Sequence, residues 1–349
     1  MGLPCGTHNY TYAQDMATLR TKTHWALLIA LLVILFTAPL YWSDYWLSVF
    51  NLIGITVIAA IGLNILLGYC GQLSFGHVGF IAVGAYTSAV LTNVFELPFL
   101  VGLIAAGFMA GLVGFIFGIP SLRVKGFYLV IATIAAQFTI IWVINHLELT
   151  GGSGGITVPY ASIGGFAFAS EASQFYLIMV IAVIGTFLAK NLARTKIGRA
   201  FVAIRDNDLA AELMGINLFY YKLLAFFIGC FWAGIAGSLL AHWVGSISPA
   251  NFTFMESLLY IGMIVIGGLG TTLGPILGVI FIRLLQQGMM FLTPSIEAAF
   301  PALSAGSAAG IGLMLFGLII VLFLILEPRG LAHRWMLFKA AYRLWPFSY

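Results

Sequence analysis

The side chains that can carry out chemistry are few in this sequence and are widely separated. Its 349 residues include 15 Lys or Arg, 11 Asp or Glu, 6 His and 3 Cys. The cysteines, Cys5, Cys70 and Cys230, have no CxxC spacing and predict neither a disulfide nor a metal site. The sequence contains no His/Cys/Asp/Glu cluster with metal-ligand spacing, no Ser/His/Asp motif and no GxxxxGKS or GxxxxGKT phosphate loop. It therefore predicts no catalytic residue, no cofactor and no metal ion, and the protein is not expected to be an enzyme.

Charged residues are concentrated in one internal segment, residues 190–222, which we call the charged loop. It holds six of the 15 basic residues and three of the 11 carboxylates: Lys190, Arg194, Lys196, Arg199, Arg205, Lys222, Asp206, Asp208 and Glu212. This concentration predicts a structured loop that serves a purpose other than packing within the rest of the chain.

The charged loop is predicted to form two short helices. The first covers residues 197–205. The second covers about 207–214, because Asp206 or Asn207 can accept hydrogen bonds from the free amides of the next turn. Gly215 then suits the left-handed position that follows a helix. The residues of this segment that are candidates for contact with a soluble partner are Arg205, Asp206, Asn207, Asp208, Ala210, Ala211, Glu212 and Gly215.

Composition places these residues in a membrane protein. Hydrophobic residues make up 62% of the chain and charged residues 7%, whereas soluble domains carry about 25% charged residues. The apolar runs are long and unbroken, which favours a helical bundle over a transmembrane barrel. Since a span needs about twenty apolar residues, we predict an all-α polytopic fold of about ten transmembrane helices. They lie near residues 25–42, 46–67, 77–95, 97–119, 127–146, 174–190, 222–244, 256–269, 274–292 and 309–326. The eighth and ninth are short, so eight or nine full spans with broken helices are an alternative.

The distribution of charge predicts the orientation of the bundle. Fourteen of the 15 basic residues precede the first span, separate the fourth and fifth, lie in the charged loop or follow the last span. The alternate loops hold only acids: Asp44, Glu96, Glu148, Glu171, Glu256 and Glu297. By the positive-inside rule both termini are cytoplasmic, an N-in/C-in arrangement. We therefore expect a cytoplasmic segment at 1–23, a transmembrane domain at 24–328 that includes the cytoplasmic charged loop, and a cytoplasmic tail at 329–349.

Two uncharged, glycine-rich connections, residues 68–77 and 267–275, are predicted on the inner side. Glycine permits tight turns and close backbone approach, and non-helical backbone at membrane depth requires protein or water to satisfy it. We interpret these two glycine segments either as re-entrant turns beside a pathway or as sites of close helix packing. Their similar spacing also hints at an internal repeat. The glycines concerned are Gly68, Gly71, Gly76, Gly267, Gly268, Gly270 and Gly274.

Polar residues within the predicted spans are few. Arg283 lies near the middle of a span, where a charge costs about 2.5–3.5 kcal/mol on insertion scales. It therefore requires a partner, and Glu256 on the preceding span is within reach. The alternative is that Arg283 contacts the carboxylate of a substrate. The residues that either line a pathway or serve structure are Gln72, Ser74, His77, Gln137, Glu256 and Arg283.

The second helix of the charged loop is predicted to dock onto a soluble partner. Leu209 and Leu213 are four residues apart and face one way, while Ala210 and Ala211 keep the helix slim. A helix lying on the inner leaflet is the alternative, but such helices carry Lys and Arg on their polar face, and the charges here are acidic.

Several motifs resemble the branched-chain amino-acid ABC transporter permease family, LivM type. They are GRAFVAIRDNDLAAELMGIN at 198–217 with YKLLAF at 221–226, GYCGQLSFGH at 68–77 with GAY at 84–86, GGLGT at 267–271 with GP at 274–275, and RLWPFSY at 343–349. The resemblance covers about residues 45–349, and the first 44 residues match less well.

The resemblance implies a type II ABC importer-like permease subunit in a bacterial inner membrane, surrounded by lipid, that moves branched-chain or other hydrophobic amino acids inward. Expected partners are a second homologous permease subunit, two cytoplasmic ABC ATPase subunits and an extracytoplasmic solute-binding protein. Nucleic acid is not expected, because topology accounts for the basic residues. Two alternatives are a gradient-driven secondary carrier or channel for a small polar solute, and the same architecture with another substrate such as urea or an organic acid.

Overall fold

The computed structural model describes residues 22–121, 126–299 and 305–344, and most of these residues are helical. The α-helices are α1 (Lys22–Thr37), α2 (Asp44–Leu63), α3 (His77–Asn93), α4 (Phe99–Ser121), α5 (Phe127–His146), α6 (Glu171–Arg194), α7 (Lys196–Asp206), α8 (Asp208–Leu213), α9 (Leu218–Val244), α10 (Phe254–Gly267), α11 (Gly274–Ala299), α12 (Ala305–Leu326) and α13 (Leu331–Leu344). A π-helical turn, Asn64–Tyr69, continues α2. The strands are β1 (Ile156–Thr157), β2 (Ser162–Ile163), β3 (Phe166–Ala167) and β4 (Ser246–Ile247).

Some sequence predictions fall on residues outside these ranges. They are most of the predicted N-terminal segment, the basic connection with Arg123 and Lys125, and the last five residues of the chain.

Each of the ten predicted apolar intervals coincides with a helix. Among the described residues, seven helices are long and apolar enough to cross a membrane: Asp44–Tyr69, Phe99–Pro120, Phe127–His146, Glu171–Arg194, Leu218–Val244, Pro249–Gly267 and Gly274–Leu292. An eighth span arises if Met314–Leu326 and Leu331–Ala341, which are bent by 47° at their junction, are taken as one. α1 and α3 are shorter, with 16 and 17 residues. The all-α polytopic fold is confirmed, while the count of ten spans and the N-in/C-in orientation stay predictions.

Side-chain caps determine where several helices begin. In each case an oxygen of the N-cap residue accepts a hydrogen bond from the amide three residues later, which satisfies one of the free amides of the first turn. The capping residues are Ser170, Thr195, Asn207, Asn217 and Thr253.

Contacts divide the chain into two compact units, Met1–Leu47 and Ser48–Tyr349. In the first unit the described residues form α1, a 3-10 turn at Ala38–Leu40 and the start of α2. The second unit contains every residue that the sequence proposes for function.

The core of the second unit is built around α9, which packs closely against α3 and α4. Gly234 of α9 faces Gly84 of α3 and Ala106 of α4, and a Cβ atom at Gly84 or Gly234 would overlap backbone atoms of the opposing helix. Small residues at such contacts let membrane helices approach closely, which favours van der Waals packing between them.

Two-stranded sheets occur in the connections that follow α5 and α9. β1 pairs antiparallel with β4, and β2 pairs antiparallel with β3. β4 follows the last residue of α9, whereas the charged loop ends at Lys222 in the second turn of this helix. Because Val244 lies 22 residues beyond Lys222, about 33 Å of helix separates the charged loop from the β1–β4 sheet.

Candidate functional site

The first helix of the charged loop, α7, lies against the bundle. It begins at Thr195, whose hydroxyl accepts a hydrogen bond from the amide of Gly198 at 3.3 Å. Its apolar side chains Phe201 and Ile204 are buried, with 0% and 4% exposure. α7 therefore anchors the charged loop to the bundle. It covers the residues for which the sequence predicts the first short helix.

The second helix, α8, has a defined start and end. Oδ1 of Asn207 accepts a hydrogen bond from the amide of Ala210 at 3.0 Å, which selects Asn207 over Asp206 as the cap. The helix ends at Leu213, and Gly215 follows two residues later. The φ of Gly215, +83°, lies in the left-handed region that favours glycine, and its amide donates to the carbonyl of Glu212 at 2.9 Å. The N-terminal cap and the left-handed glycine that the sequence predicts for this helix are thus observed.

The outer edge of α8 is apolar and exposed. Leu209, Leu213 and Met214 are 64%, 89% and 83% exposed, while Ala211 on the opposite side is 4% exposed and packs against the core. The sequence indicates Leu209 and Leu213, and the structure adds Met214, which follows the last residue of α8, as a further exposed apolar side chain. This exposed edge of the charged loop faces away from the bundle.

The charges around α8 pair mainly within the loop. Nζ of Lys222 lies 3.7 Å from Oδ2 of Asp208. Nε and Nη2 of Arg205 donate to Oδ1 of Asp206 at 2.9 and 2.8 Å, and Nη1 donates to the carbonyl of Gly68 at 2.9 Å. Arg205 thus connects the charged loop to the first glycine segment.

The first glycine segment follows the π-helical turn that ends α2. Gly71 has a φ of +71°, and the chain then runs without regular structure to the start of α3. Gln72 and Ser74 on this stretch are buried, with 8% and 1% exposure. Nε2 of Gln72 donates to the carbonyl of Cys70 at 3.4 Å, so this amide helps to satisfy its own turn.

The two glycine segments contact each other although about 200 residues separate them in sequence. Oδ1 of Asn64 accepts from the amide of Gly270, and its Nδ2 donates to the carbonyl of Thr271, both at 3.0 Å. The hydroxyl groups of Tyr69 and Thr272 lie 3.3 Å apart within hydrogen-bonding distance. Asn64, at the start of the π-helical turn that leads into the first segment, therefore supplies hydrogen bonds to two backbone groups of the second segment.

The second glycine segment forms a tight reversal between α10 and α11. Gly268 and Gly270 have φ values of +111° and +70°. A Cβ atom at Gly267 would overlap the carbonyl of Gly274, and Oγ1 of Thr271 accepts from the amide of Gly274 at 3.0 Å. Close packing of backbone is thus one function of these glycines.

The start of α3 is held by hydrogen bonds to neighbouring helices. A Cβ atom at Gly76 would overlap the carbonyl of Thr133 on α5, and the amide of Phe75 donates to Oγ1 of Thr133 at 3.0 Å. Nε2 of His77 lies 3.0 Å from the carbonyl of Ala59 on α2. Among the described residues, Nδ1 of His77 has no hydrogen-bond partner.

Ser257 joins three helices at the same level of the bundle. Its Oγ donates to Oε1 of Gln137 on α5 at 2.8 Å and accepts from the amide of Val78 on α3 at 3.1 Å. All three groups are buried, so these bonds are made away from solvent. Gln137 is therefore brought into contact with α10, a link that the sequence does not reveal.

Arg283 lies in a polar cluster between α2, α10 and α11. Its Nη2 is 3.6 Å from Oε2 of Glu256, its Nη1 donates to Oε1 of Gln286 at 3.0 Å, and its Nε donates to Oγ1 of Thr56 at 3.3 Å. The side chain of Arg283 is 12% exposed and that of Glu256 is 36% exposed. The structure thus brings together the pair that the sequence proposes and adds two neutral acceptors.

A polar cleft of about 390 Å³ opens where the charged loop meets the first glycine segment. It is lined by residues 70–73, residues 204–208, Gly126, Leu129 and Lys222. The candidate docking helix, the guanidinium of Arg205 and the turn at Gly71 therefore surround one recess.

Comparison with known sequences decides the family. The profile of the family described as "Branched-chain amino acid transport system / permease component" matches residues 45–324. The chain belongs to this permease family. The family resemblance inferred from the charged loop and the glycine segments is therefore confirmed.

Curated relatives of this permease extend the comparison over most of the chain. The LivM high-affinity branched-chain amino acid transport system permease protein of Escherichia coli is 31% identical over 91% of this chain and 76% of its own length. The probable LivM permease protein of Methanocaldococcus jannaschii is 25% identical over 80% and 90%. The LivH permease protein of Salmonella typhimurium is 29% identical over 63% and 76%. No solved structure matches. These relatives favour a transport permease component over a secondary carrier, and the family is not one of catalytic enzymes.

Two polar clusters of the permease were missed by sequence reasoning. Nε2 of His242 lies 3.0 Å from Oγ of Ser88, which accepts from Ser238, while Nδ1 of His242 is 2.7 Å from the carbonyl of Pro159. This network ties the end of α9 to the connection that contains β1. The second cluster joins the carboxylate of Glu171 to side chains on α2 and α9, Asn51 and Trp243. Apolar periodicity carries no signal for either, because each joins segments that are far apart in sequence.

Proposed function

We propose that this chain is one of two permease subunits of an ATP-driven ABC importer, and that it moves branched-chain or other hydrophobic amino acids inward across a bacterial inner membrane. The family description and the names of the LivM and LivH relatives support this substrate class. The chain adopts the N-in/C-in orientation, with the charged loop and the tail at 329–349 in the cytoplasm.

The second permease subunit is a homologue of this chain. Similarity to both LivM and LivH proteins supports a pair of related permeases. Two cytoplasmic ATPases bind the pair from the inside, and an extracytoplasmic binding protein delivers the solute at the end that carries the β1–β4 sheet.

The exposed edge of α8 is the observation that carries the docking role. Leu209, Leu213 and Met214 offer an apolar surface on a helix that Asn207 caps, and the residues facing inward fix that helix to the bundle. An amphipathic helix of this kind docks into an apolar groove of a partner through side chains at i and i+4. Residues 205–215 therefore form the ATPase-coupling segment. Within it α8 makes the contact with the ATPase, in a cleft that receives this helix, whereas Arg205 is turned toward the bundle.

The buried polar residues divide between structure and pathway. Gln137 and His77 hold neighbouring helices through hydrogen bonds, and the Arg283–Glu256 pair satisfies a charge that the membrane penalises. Gln72 lines the recess at Gly71, and Ser74 lies two residues later on the same non-helical backbone. We assign both to the inner part of the pathway.

Affinity purification in mild detergent tests the docking role. We expect ATPase subunits with phosphate loops and a second permease to be recovered with the unaltered chain, and the ATPases to be lost with Leu213→Asp. Because Leu213 is 89% exposed, this change places a charge on the surface without disturbing the core. Leu149→Asp is the matched control, since Leu149 is 58% exposed on the connection after α5.

Two results contradict the proposal. If the unaltered chain yields a homo-oligomer without an ATPase, the importer assignment fails. If both aspartate variants retain the ATPases equally, an importer is present but α8 is not its docking helix.

A further inference from the structure

The guanidinium of Arg205 joins two parts of the chain that the docking role alone does not connect. It stands in the last turn of α7, yet it points toward the bundle and not along the exposed edge of α8. Two of its nitrogens bond to Asp206 beside it, and the third donates to the carbonyl of Gly68 at 2.9 Å. Its side chain also packs on Gly71, where a Cβ atom would lie 3.0 Å from Cγ of Arg205.

The acceptor at Gly68 is placed where helix geometry leaves carbonyls free. Gly68 lies in the π-helical turn Asn64–Tyr69, at the end of α2, and the last carbonyls of a helix have no partner within it. Single π-helical turns are rare and occur frequently at functional sites. Arg205 therefore supplies from the charged loop a hydrogen bond that α2 cannot supply for itself.

The second glycine segment packs against the hydrogen bond between Arg205 and the carbonyl of Gly68. A Cβ atom at Gly270 would lie 2.6 Å from Nη1 of Arg205 and 2.8 Å from the carbonyl of Gly68, so a side chain has no room there. Asn64, one turn before Gly68, binds the amide of Gly270 and the carbonyl of Thr271. One cation on the charged loop is thus in contact with both glycine segments, which are themselves joined by one asparagine.

We propose that Arg205 is a positioning residue that transmits movement of the charged loop to both glycine segments. The inference rests on the proposed function, since it takes α8 as the helix that the ATPases move. α7 and α8 meet at Asn207, two residues beyond Arg205, so a displacement of α8 reaches the Gly68 carbonyl through a single side chain. Through Asn64 the same displacement reaches the turn between α10 and α11. The inner ends of α2 and α11 then move together.

An arginine is required for this connection. Its planar guanidinium presents donors in a fixed fork, so one side chain can hold a carboxylate and a carbonyl in different directions. A lysine keeps the charge but offers a compact ammonium on a flexible stem, which does not fix both partners. The geometry therefore predicts a graded series, with Arg205→Lys between the unaltered chain and Arg205→Gln.

The test measures coupling and not docking. The complete complex, with the second permease and the ATPases, is reconstituted in proteoliposomes, and ATP hydrolysis and solute uptake are measured on the same preparation. We expect Arg205→Gln to retain bound ATPases and ATP hydrolysis while solute uptake per ATP falls by about tenfold, which lies within the 5–150-fold range of typical coupling free energies. Arg199→Gln is the matched control, because Arg199 is exposed on the same helix, and its uptake per ATP is expected to be unchanged.

Asn64→Leu provides a second, independent arm. It removes the bridge to Gly270 and Thr271 while leaving Arg205 in place, and we expect it to lower uptake per ATP as well. When both changes are combined, uptake per ATP is expected to fall no further than with the more severe single change, since both interrupt one path.

Three results overturn the proposal. The first is an unchanged uptake per ATP in Arg205→Gln. The second is loss of bound ATPases in Arg205→Gln, which would make Arg205 part of the docking surface. The third is an additive loss in the double variant, which would place Arg205 and Asn64 on separate paths. Failure of the proposed function is distinguishable, because it appears as absence of ATPases from the unaltered chain.

A measurement without substitution of Arg205 covers the case in which Arg205→Gln does not accumulate. Spin labels at Arg199 and Leu273, both exposed and outside the docking edge of α8, report the distance between the charged loop and the second glycine segment. We expect the distance to be the same in the nucleotide-free and the ATP-bound, vanadate-trapped complex, because the two segments move together. A distance that changes between the two states contradicts the inference.

Discussion

The close contact between α3 and α9 predicts a specific cost for the smallest substitution, Gly84→Ala. The new Cβ atom would meet the Cα, carbonyl oxygen and carbonyl carbon of Gly234, all of which are backbone atoms that cannot rotate away. α9 cannot retreat, because a Cβ atom at Gly234 would already overlap the carbonyl of Ala106 on α4. Overpacking of this kind costs about 1–3 kcal/mol, and the gain of about 0.5–1 kcal/mol from replacing a helical glycine offsets part of it. We expect a net destabilisation of about 1–2 kcal/mol.

Gly262→Ala is the matched control for this prediction. Gly262 lies within α10, and within the described part of the chain no atom outside its own stretch of helix comes within 4 Å of a Cβ atom built there. The substitution keeps the gain in helix propensity without the overlap, so the stability is expected to rise by about 0.5–1 kcal/mol. Thermal unfolding of both purified variants in the same detergent measures the difference. Equal melting temperatures, or a lower one for Gly262→Ala, would refute the argument that glycine is required for the α3–α9 contact.

Three further outcomes follow from single contacts. Asn207→Ala removes the cap of α8 at a cost of about 1 kcal/mol, and we expect it to reduce ATPase recovery in affinity purification. Asn217→Ala removes the cap of α9 and is the control, with recovery expected to be unchanged. A loss of recovery with Asn217→Ala but not with Asn207→Ala would contradict the role of α8. Ser257→Ala leaves Oε1 of Gln137 and the amide of Val78 without their hydrogen-bond partner. We expect the free energy of unfolding to fall by about 1–3 kcal/mol, measured by thermal unfolding. An unchanged melting temperature would show that water replaces the hydroxyl. Glu256→Gln weakens the pair between Arg283, which is 12% exposed, and Glu256, which is 36% exposed. Because Thr56 and Gln286 still accept from the guanidinium, we expect a loss of about 1 kcal/mol or less and uptake close to normal; loss of uptake with normal stability would instead assign this pair to the substrate.

Local features of the sequence predict much of the helical architecture. Apolar runs identify helices at all ten intervals because a span must satisfy its backbone internally, whatever surrounds it. The N-cap of α8 at Asn207 and the left-handed Gly215 just beyond its end follow from capping chemistry within a few residues. The number of full spans does not follow in the same way, because α3 is a short helix of 17 residues that is largely buried among its neighbours.

Contacts between distant segments account for what the sequence does not reveal. The bridge from Asn64 to Gly270 joins residues that are 206 positions apart, and no periodicity in either segment signals the other. The direction of Arg205 is likewise set by the free carbonyl of Gly68, a consequence of the π-helical turn and not of residue type. Composition identifies Arg205 as part of a charged loop, but only the tertiary structure separates it from the exposed edge of α8.

ATP-dependent uptake by the reconstituted complex is the most direct test of the central proposal. Proteoliposomes that contain this chain, the second permease and the ATPases are supplied with the binding protein and radiolabelled leucine outside, and the ATPase-facing side receives ATP or no nucleotide. The account predicts leucine accumulation that requires ATP, persists in the presence of a protonophore and is abolished by Leu213→Asp. Accumulation that continues without ATP and stops with the protonophore would contradict it and identify a gradient-driven carrier.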